Sequence, residues 1–236
     1  MMSSIIKSDK KNLLNLLVIS LPLFFALGPA LIEIVSFIFF VFFVVLYLNK
    51  DNDMLKLIKD NRQIITLFFL FWFVLIISSF LSNDYYLSFK NTGFYFRFLC
   101  FSLVILYCLN NYEKIKHFLL YAYFFLFFLL FLTSIYEFTT GLNFFNNLPY
   151  SNGRISSIFL DEKILGSFII KSLPIIIALI YFNKIKYNFL IIFVLILISL
   201  ILITLSGERT ALILFSIFFI FLLKFKDFRK IFYIIL

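Results

Sequence analysis

The sequence predicts an all-α protein, a polytopic bundle of transmembrane helices, and three observations lead there. Of its 236 residues, 64% are hydrophobic and only 14% are charged. That leaves too few polar residues to clothe a water-soluble domain of this size. The apolar residues fall in runs of about 14–22, close to the ~20 that a helix needs to cross a bilayer core. Period-2 alternation is absent, which argues against a membrane barrel, and helices are the remaining way to satisfy the backbone in lipid.

Eight spans follow in order: Leu13–Ala30, Leu31–Leu48, Ile64–Leu81, Thr92–Leu109, His117–Phe138, Ile164–Phe182, Phe189–Leu205 and Thr210–Leu223. The first follows a basic N-terminus, as a signal peptide would. Its apolar stretch is long and a second span follows at once, so it reads as a retained helix. A truncated ninth segment opens at Ile231 and stops at Leu236. It is too short to span, so the chain reads as the N-terminal part of a longer protein. With no linker or repeat, residues 1–236 are expected to form one transmembrane helical domain. The segment Thr139–Lys163, with Gly141, Pro149 and Gly153, reads as an ordered loop.

The loops alternate in charge. One side carries Lys7, Lys10 and Lys11; Lys50, Lys56, Lys59 and Arg62; Lys114 and Lys116; Lys184 and Lys186; and Lys224, Lys226, Arg229 and Lys230. The other carries Lys90, Arg154, Lys163 and Arg209, with Arg97 and Lys171 inside spans. Fifteen basic residues against four place the N-terminus in the cytoplasm. The same distribution accounts for the net charge of +9 and argues against nucleic acid as a partner. Membrane lipids are the expected surroundings.

Cys100 and Cys108 lie on one predicted helix, ~12 Å apart along its axis, too far for a disulfide. A single histidine offers no metal cluster, and no cofactor is expected. Trp72 reads as a packing residue and His117 as an interfacial one on the cytoplasmic side.

Charges against the bilayer are costly and therefore informative. They gather on the predicted outer side. Glu33 lies near the outer end of the second span, where that span begins, Arg97 lies inside the fourth, and Glu137 closes the fifth. Arg154, Asp161, Glu162 and Lys163 precede the sixth, and Lys171 lies ~10 Å into it. Glu208 and Arg209 interrupt Phe189–Leu223, whose 35 residues fall short of the ~40 that two spans require. The break at Ser206–Thr210 is thus expected to dip toward the hydrocarbon, with Arg209 facing the bundle or a cavity. Plainer readings stand beside these. Arg97 and Lys171 also suit snorkelling, Arg154 a loop charge, Glu208 and Arg209 a solvated turn, and Glu33 and Glu137 interface or structural partners. Together the cations point to an anionic ligand, because arginine forks match phosphate oxygens and stay charged when partly desolvated. No phosphate loop or nucleotide motif is present.

Two segments resemble signatures of the O-antigen ligase and polymerase superfamily. One runs Gly153-Arg154-Ile155-Ser156-Ser157-Ile158-Phe159-Leu160-Asp161-Glu162-Lys163-Ile164-Leu165-Gly166-Ser167, followed by Lys171 and Pro174. The other is Thr204-Leu205-Ser206-Gly207-Glu208-Arg209-Thr210-Ala211. Tyr95-Phe96-Arg97-Phe98 is a weaker match. The topology is similar over nearly the whole chain, and the motifs over about 30 residues. The resemblance implies a glycosyltransferase of polysaccharide or lipopolysaccharide biosynthesis in the bacterial inner membrane. It would transfer a glycan from undecaprenyl pyrophosphate to a glycan or lipid A-core acceptor at the periplasmic face. It implies that Arg154 and Arg209 bind the pyrophosphate, with Lys171 and Arg97 assisting and Glu162 and Glu208 supporting. The large late periplasmic loop with a histidine, which ligases use to activate the acceptor, is missing. The catalytic base is therefore unassigned, and the donor half of a site is what the sequence carries. The competing reading is a transporter or flippase for a lipid-linked or anionic substrate. Against it, the sequence shows no repeat, and its charges favour one face over the midplane.

Overall fold

The computed structural model describes residues 2–144, 154–159, 162, 164–186 and 188–223. Pro149, Gly153, Leu160, Asp161, Lys163, the basic cluster Lys224–Lys230 and the segment from Ile231 lie outside the described residues. Among the described residues the chain is helical and carries no strand. The helices are α1 (Met2–Leu27), α2 (Pro29–Leu48), α3 (Asn52–Asp60), α4 (Arg62–Phe80), α5 (Tyr85–Gly93), α6 (Arg97–Asn111), α7 (Glu113–Thr140), α8 (Leu165–Phe182), α9 (Asn188–Ser206) and α10 (Arg209–Leu223).

Among the described residues six helical segments are long and apolar enough to cross a membrane: Pro29–Leu48, Arg62–Phe80, Tyr85–Asn111, Glu113–Thr140, Leu165–Phe182 and Asn188–Ser206. Asn12–Leu27 and Arg209–Leu222 are apolar but shorter. Large apolar side chains point outward all along α4, where Ser79 is the buried residue. A face of that size is untenable in water and suited to lipid. The chain is a multi-pass membrane protein.

The chain divides into two compact units, Met1–Leu21 with Pro29–Ile115 and Pro22–Gly28 with Lys116–Leu236. In the first, α2 packs on α6. The buried face of α6 repeats every three to four residues, as Leu99, Cys100, Leu103, Val104, Tyr107 and Cys108. Phe39 meets Phe101 edge-on at 5.1 Å, and both cysteines are buried free thiols.

Two helices of this unit replace loops in the sequence reading. Helix α3 starts where Asp51 accepts hydrogen bonds from the Asp53 and Met54 amides, each at 3.2 Å. It buries Met54 and Leu57 and leaves Lys56 and Lys59 exposed. Helix α5 starts where Asp84 accepts from Leu87 N at 3.2 Å. It folds back on α4, where Trp72 Nε1 donates to Thr92 O at 2.8 Å. Trp72 thus does more than pack. The fourth span accordingly opens as α5 and turns at Phe94–Phe96 before α6. Arg97, expected inside the fourth span, is the first residue of α6.

In the second unit, α8 packs on α9, and α10 packs on both. Asn183, at the C-cap of α8, donates to Lys116 O near the start of α7 at 3.1 Å. The buried face of α8 includes Leu165, Gly166, Ile169, Leu173, Ile176 and Ile180.

Candidate functional site

The polar residues of the second unit meet where α7 ends, α8 begins and α9 turns into α10. Each contribution has a local cause.

Helix α9 stops at Ser206 because Gly207 takes a left-handed backbone, φ +65°, which glycine reaches without the Cβ penalty. Helix α10 opens two residues later at Arg209. Glu208, between them, turns inward. Its Oε1 accepts from Gly166 N at 2.7 Å and its Oε2 from Ser167 N at 3.0 Å. Ser167 Oγ donates to the same Oε2. The carboxylate therefore caps α8, where unpaired amides and the helix dipole both favour an anion. Gly166 makes the approach possible. A Cβ there would stand 2.6 Å from Ser206 Oγ and 3.0 Å from the Ala211 Cβ.

A second carboxylate does the same for residues 154–157. Glu137, the last buried residue of α7, is fully excluded from solvent. It accepts from Ser156 N on Oε1 at 3.1 Å and from Ser157 N on Oε2 at 2.7 Å. Ser156 Oγ adds a longer bond at 3.4 Å. Asn143 Nδ2 donates to Ser156 Oγ at 2.9 Å and Ser157 O at 2.6 Å. Thr133 and Ser157 join hydroxyls beneath. Ile155 N reaches Leu205 O at 3.3 Å, which ties the segment to the end of α9.

Arg154 stands on this base. It is exposed, and its stem crosses Gly207. A Cβ on that glycine would lie 3.0 Å from Arg154 Cγ and 3.4 Å from Nε. Arg209, two residues along, is also exposed. The two predicted cations therefore flank one glycine turn. Among the described residues neither forms an ion pair with a carboxylate. Of the two charges at the break, Glu208 is the one that faces inward, and Arg209 stays outward. Burying a carboxylate against three donors costs less than burying a guanidinium that has no acceptor there.

The other predicted residues have settings of their own. Lys171 is exposed on α8, on the face it shares with Ile175 and Ala178. Glu162 is exposed, and its amide donates to Phe159 O at 2.9 Å. Arg97 belongs to the first unit, where Nη2 donates to Glu33 Oε1 at 3.3 Å and the guanidinium lies over Phe98. His117 is exposed near the start of α7. Among the described residues no group of His, Cys, Asp and Glu forms a candidate metal site.

Of the two sequence readings of Glu137, interface residue or structural partner, the structure shows the second; sequence reasoning missed the role of Asn143. The available signal was the pair Ser156-Ser157, whose adjacent amides and hydroxyls need acceptors wherever they are buried.

Comparison with family models, curated proteins and solved structures finds no match to this chain.

Proposed function

We propose that this chain is a membrane glycosyltransferase of the O-antigen ligase and polymerase type. In this reading eight spans anchor it in a bacterial inner membrane with its N-terminus in the cytoplasm. It takes a glycan from undecaprenyl pyrophosphate at the periplasmic face for transfer to a glycan or lipid A-core acceptor. The six long apolar helices and the two shorter ones supply the eight spans. The shorter pair, at ~21–24 Å, would sit in locally thinned bilayer. The basic loops supply the orientation.

One observation carries the reading. Arg154 and Arg209 flank the Gly207 turn, and the intervening carboxylate of Glu208 is spent on the end of α8. Without that diversion Glu208 would neutralise its neighbours. Arg209 also opens α10, where the helix dipole already carries positive charge. A cation in that position is unfavourable alone and becomes favourable with an anion bound. Two guanidinium forks present paired donors to phosphate oxygens. They would stabilise charge as it develops on the departing pyrophosphate. Lys171 is a further cation along α8 for the same diphosphate. Arg97 is already engaged by Glu33, and the clamp does not require it.

The test is transfer from a glycan on undecaprenyl pyrophosphate, assayed in membranes that carry the full-length protein. Arg154→Ala and Arg209→Ala should each abolish transfer and leave membrane insertion unchanged. Full activity in either variant removes the clamp. Substrate movement across sealed vesicles, with no glycan transferred, would favour the transporter reading.

A further inference from the structure

We infer that Glu137 is the positioning residue for the Arg154 guanidinium, acting through the backbone of Ser156 and Ser157. The inference rests on the anion-binding reading of Arg154 given above.

Glu137 touches no cation among the described residues, and it is completely buried. Its work is geometric. Two successive amides converge on its two oxygens, Ser156 N on Oε1 and Ser157 N on Oε2. Only a carboxylate offers an acceptor to both. Glutamine has one carbonyl oxygen, and its NH2 would face an amide that also donates. Ser157 is held at φ +58°, a left-handed backbone that a serine rarely adopts and that persists only when its surroundings over-determine it. Glu137, Asn143 and Thr133 supply that over-determination. Just before them in the chain, Ile155 is buried and its amide donates to Leu205 O. Arg154 therefore rises from three fixed residues, and its stem rests on Gly207. A cation whose backbone is fixed loses less freedom when it binds an anion.

The experiment is titration of inorganic pyrophosphate into the full chain in lipid nanodiscs, for wild type, Arg154→Ala, Glu137→Gln and the double variant. Helix content is followed by circular dichroism alongside. Arg154→Ala should weaken binding by about tenfold or more, and Glu137→Gln by about tenfold. In the Arg154→Ala background, Glu137→Gln should have no further effect, because its effect passes through that arginine. Equal losses in both backgrounds would reveal a general structural role and overturn the inference. Unchanged affinity in Glu137→Gln, with Arg154→Ala still impaired, overturns the inference alone. Unchanged affinity in Arg154→Ala overturns the anion-binding reading and the inference with it. Should Glu137→Gln fail to fold, Asn143→Ala keeps the carboxylate and loosens the same base. It should weaken binding by about threefold, again only when Arg154 is present, and an effect that survives in Arg154→Ala counts against the inference.

Discussion

Glu137 and Glu208 hold their partners in the same way. Each carboxylate spans two consecutive amides and takes a serine hydroxyl besides: Ser156 and Ser157 for Glu137, Gly166 and Ser167 for Glu208. They differ in surroundings. Glu137 is sealed from solvent and has Asn143 as a further donor at 3.4 Å. Glu208 is half-buried, beside Arg209 in sequence and beneath the turn that carries the Arg154 stem. Similar hydrogen bonding can thus serve two ends. In a dry site it fixes backbone geometry. At a wet rim beside cations it also keeps a negative charge out of their way.

That difference predicts unequal costs on truncation. Glu137→Ala leaves the Ser156 and Ser157 amides and the Ser156 hydroxyl without their acceptor and beyond the reach of water. The loss should be about 3–5 kcal/mol, in the range for breaking a buried polar cluster. Glu208→Ala removes a helix cap that water can partly replace and should cost about 1–2 kcal/mol. Thermal melts of both variants in one detergent, read from the helical signal, rank them. Equal shifts would mean that burial does not separate the two clasps.

The second clasp depends on close approach as well as charge, and Gly166→Ala addresses that directly. The added methyl meets Ser206 Oγ at 2.6 Å and the Ala211 Cβ at 3.0 Å. Neither neighbour is the far end of a long side chain, so α8, α9 and α10 must part. Overpacking of this kind costs about 2 kcal/mol. Adding Ser206→Ala relieves the closer contact and should recover part of the loss. A melt of Gly166→Ala indistinguishable from wild type would show that this junction is looser than the distances imply.

Much of the helical frame was legible in the sequence, because span-length apolar runs declare themselves by composition. Five of the eight predicted spans match helices within a few residues at each end, among them Ile164–Phe182 against Leu165–Phe182 and Phe189–Leu205 against Asn188–Ser206. The departures have local causes. Helices α3 and α5 are polar or short, so length and hydropathy pass over them, and the aspartates that cap them become informative only once the helix is seen. At the candidate site the charged residues were legible, and so was the break at Gly207. Their orientation was not, since Glu208 and Arg209 are adjacent and composition cannot say which turns inward. Glu137 was visible as an anomaly, but its partners lie 19 and 20 residues along the chain, a separation that no short motif encodes.

Gly207→Ala touches one side chain, the stem of Arg154, and should have the smallest effect on the fold. Its φ of +65° costs alanine about 1 kcal/mol in strain. Its Cβ would crowd Arg154 Cγ at 3.0 Å and Nε at 3.4 Å, and a flexible exposed side chain moves aside easily. The hydrogen bonds of Glu208 to α8 come from the next residue and should survive. The variant is therefore expected to melt within a few degrees of wild type while its affinity for inorganic pyrophosphate falls by about threefold to tenfold. Gly207→Ser should behave alike, since the obstacle is the β-carbon and the backbone angle rather than side-chain chemistry. Pyrophosphate titrations beside melts of the same preparations separate the effects. Binding that falls only in step with stability would reduce Gly207 to a helix terminator. Binding that falls while the melt holds would show that the glycine keeps clear the path on which Arg154 lies.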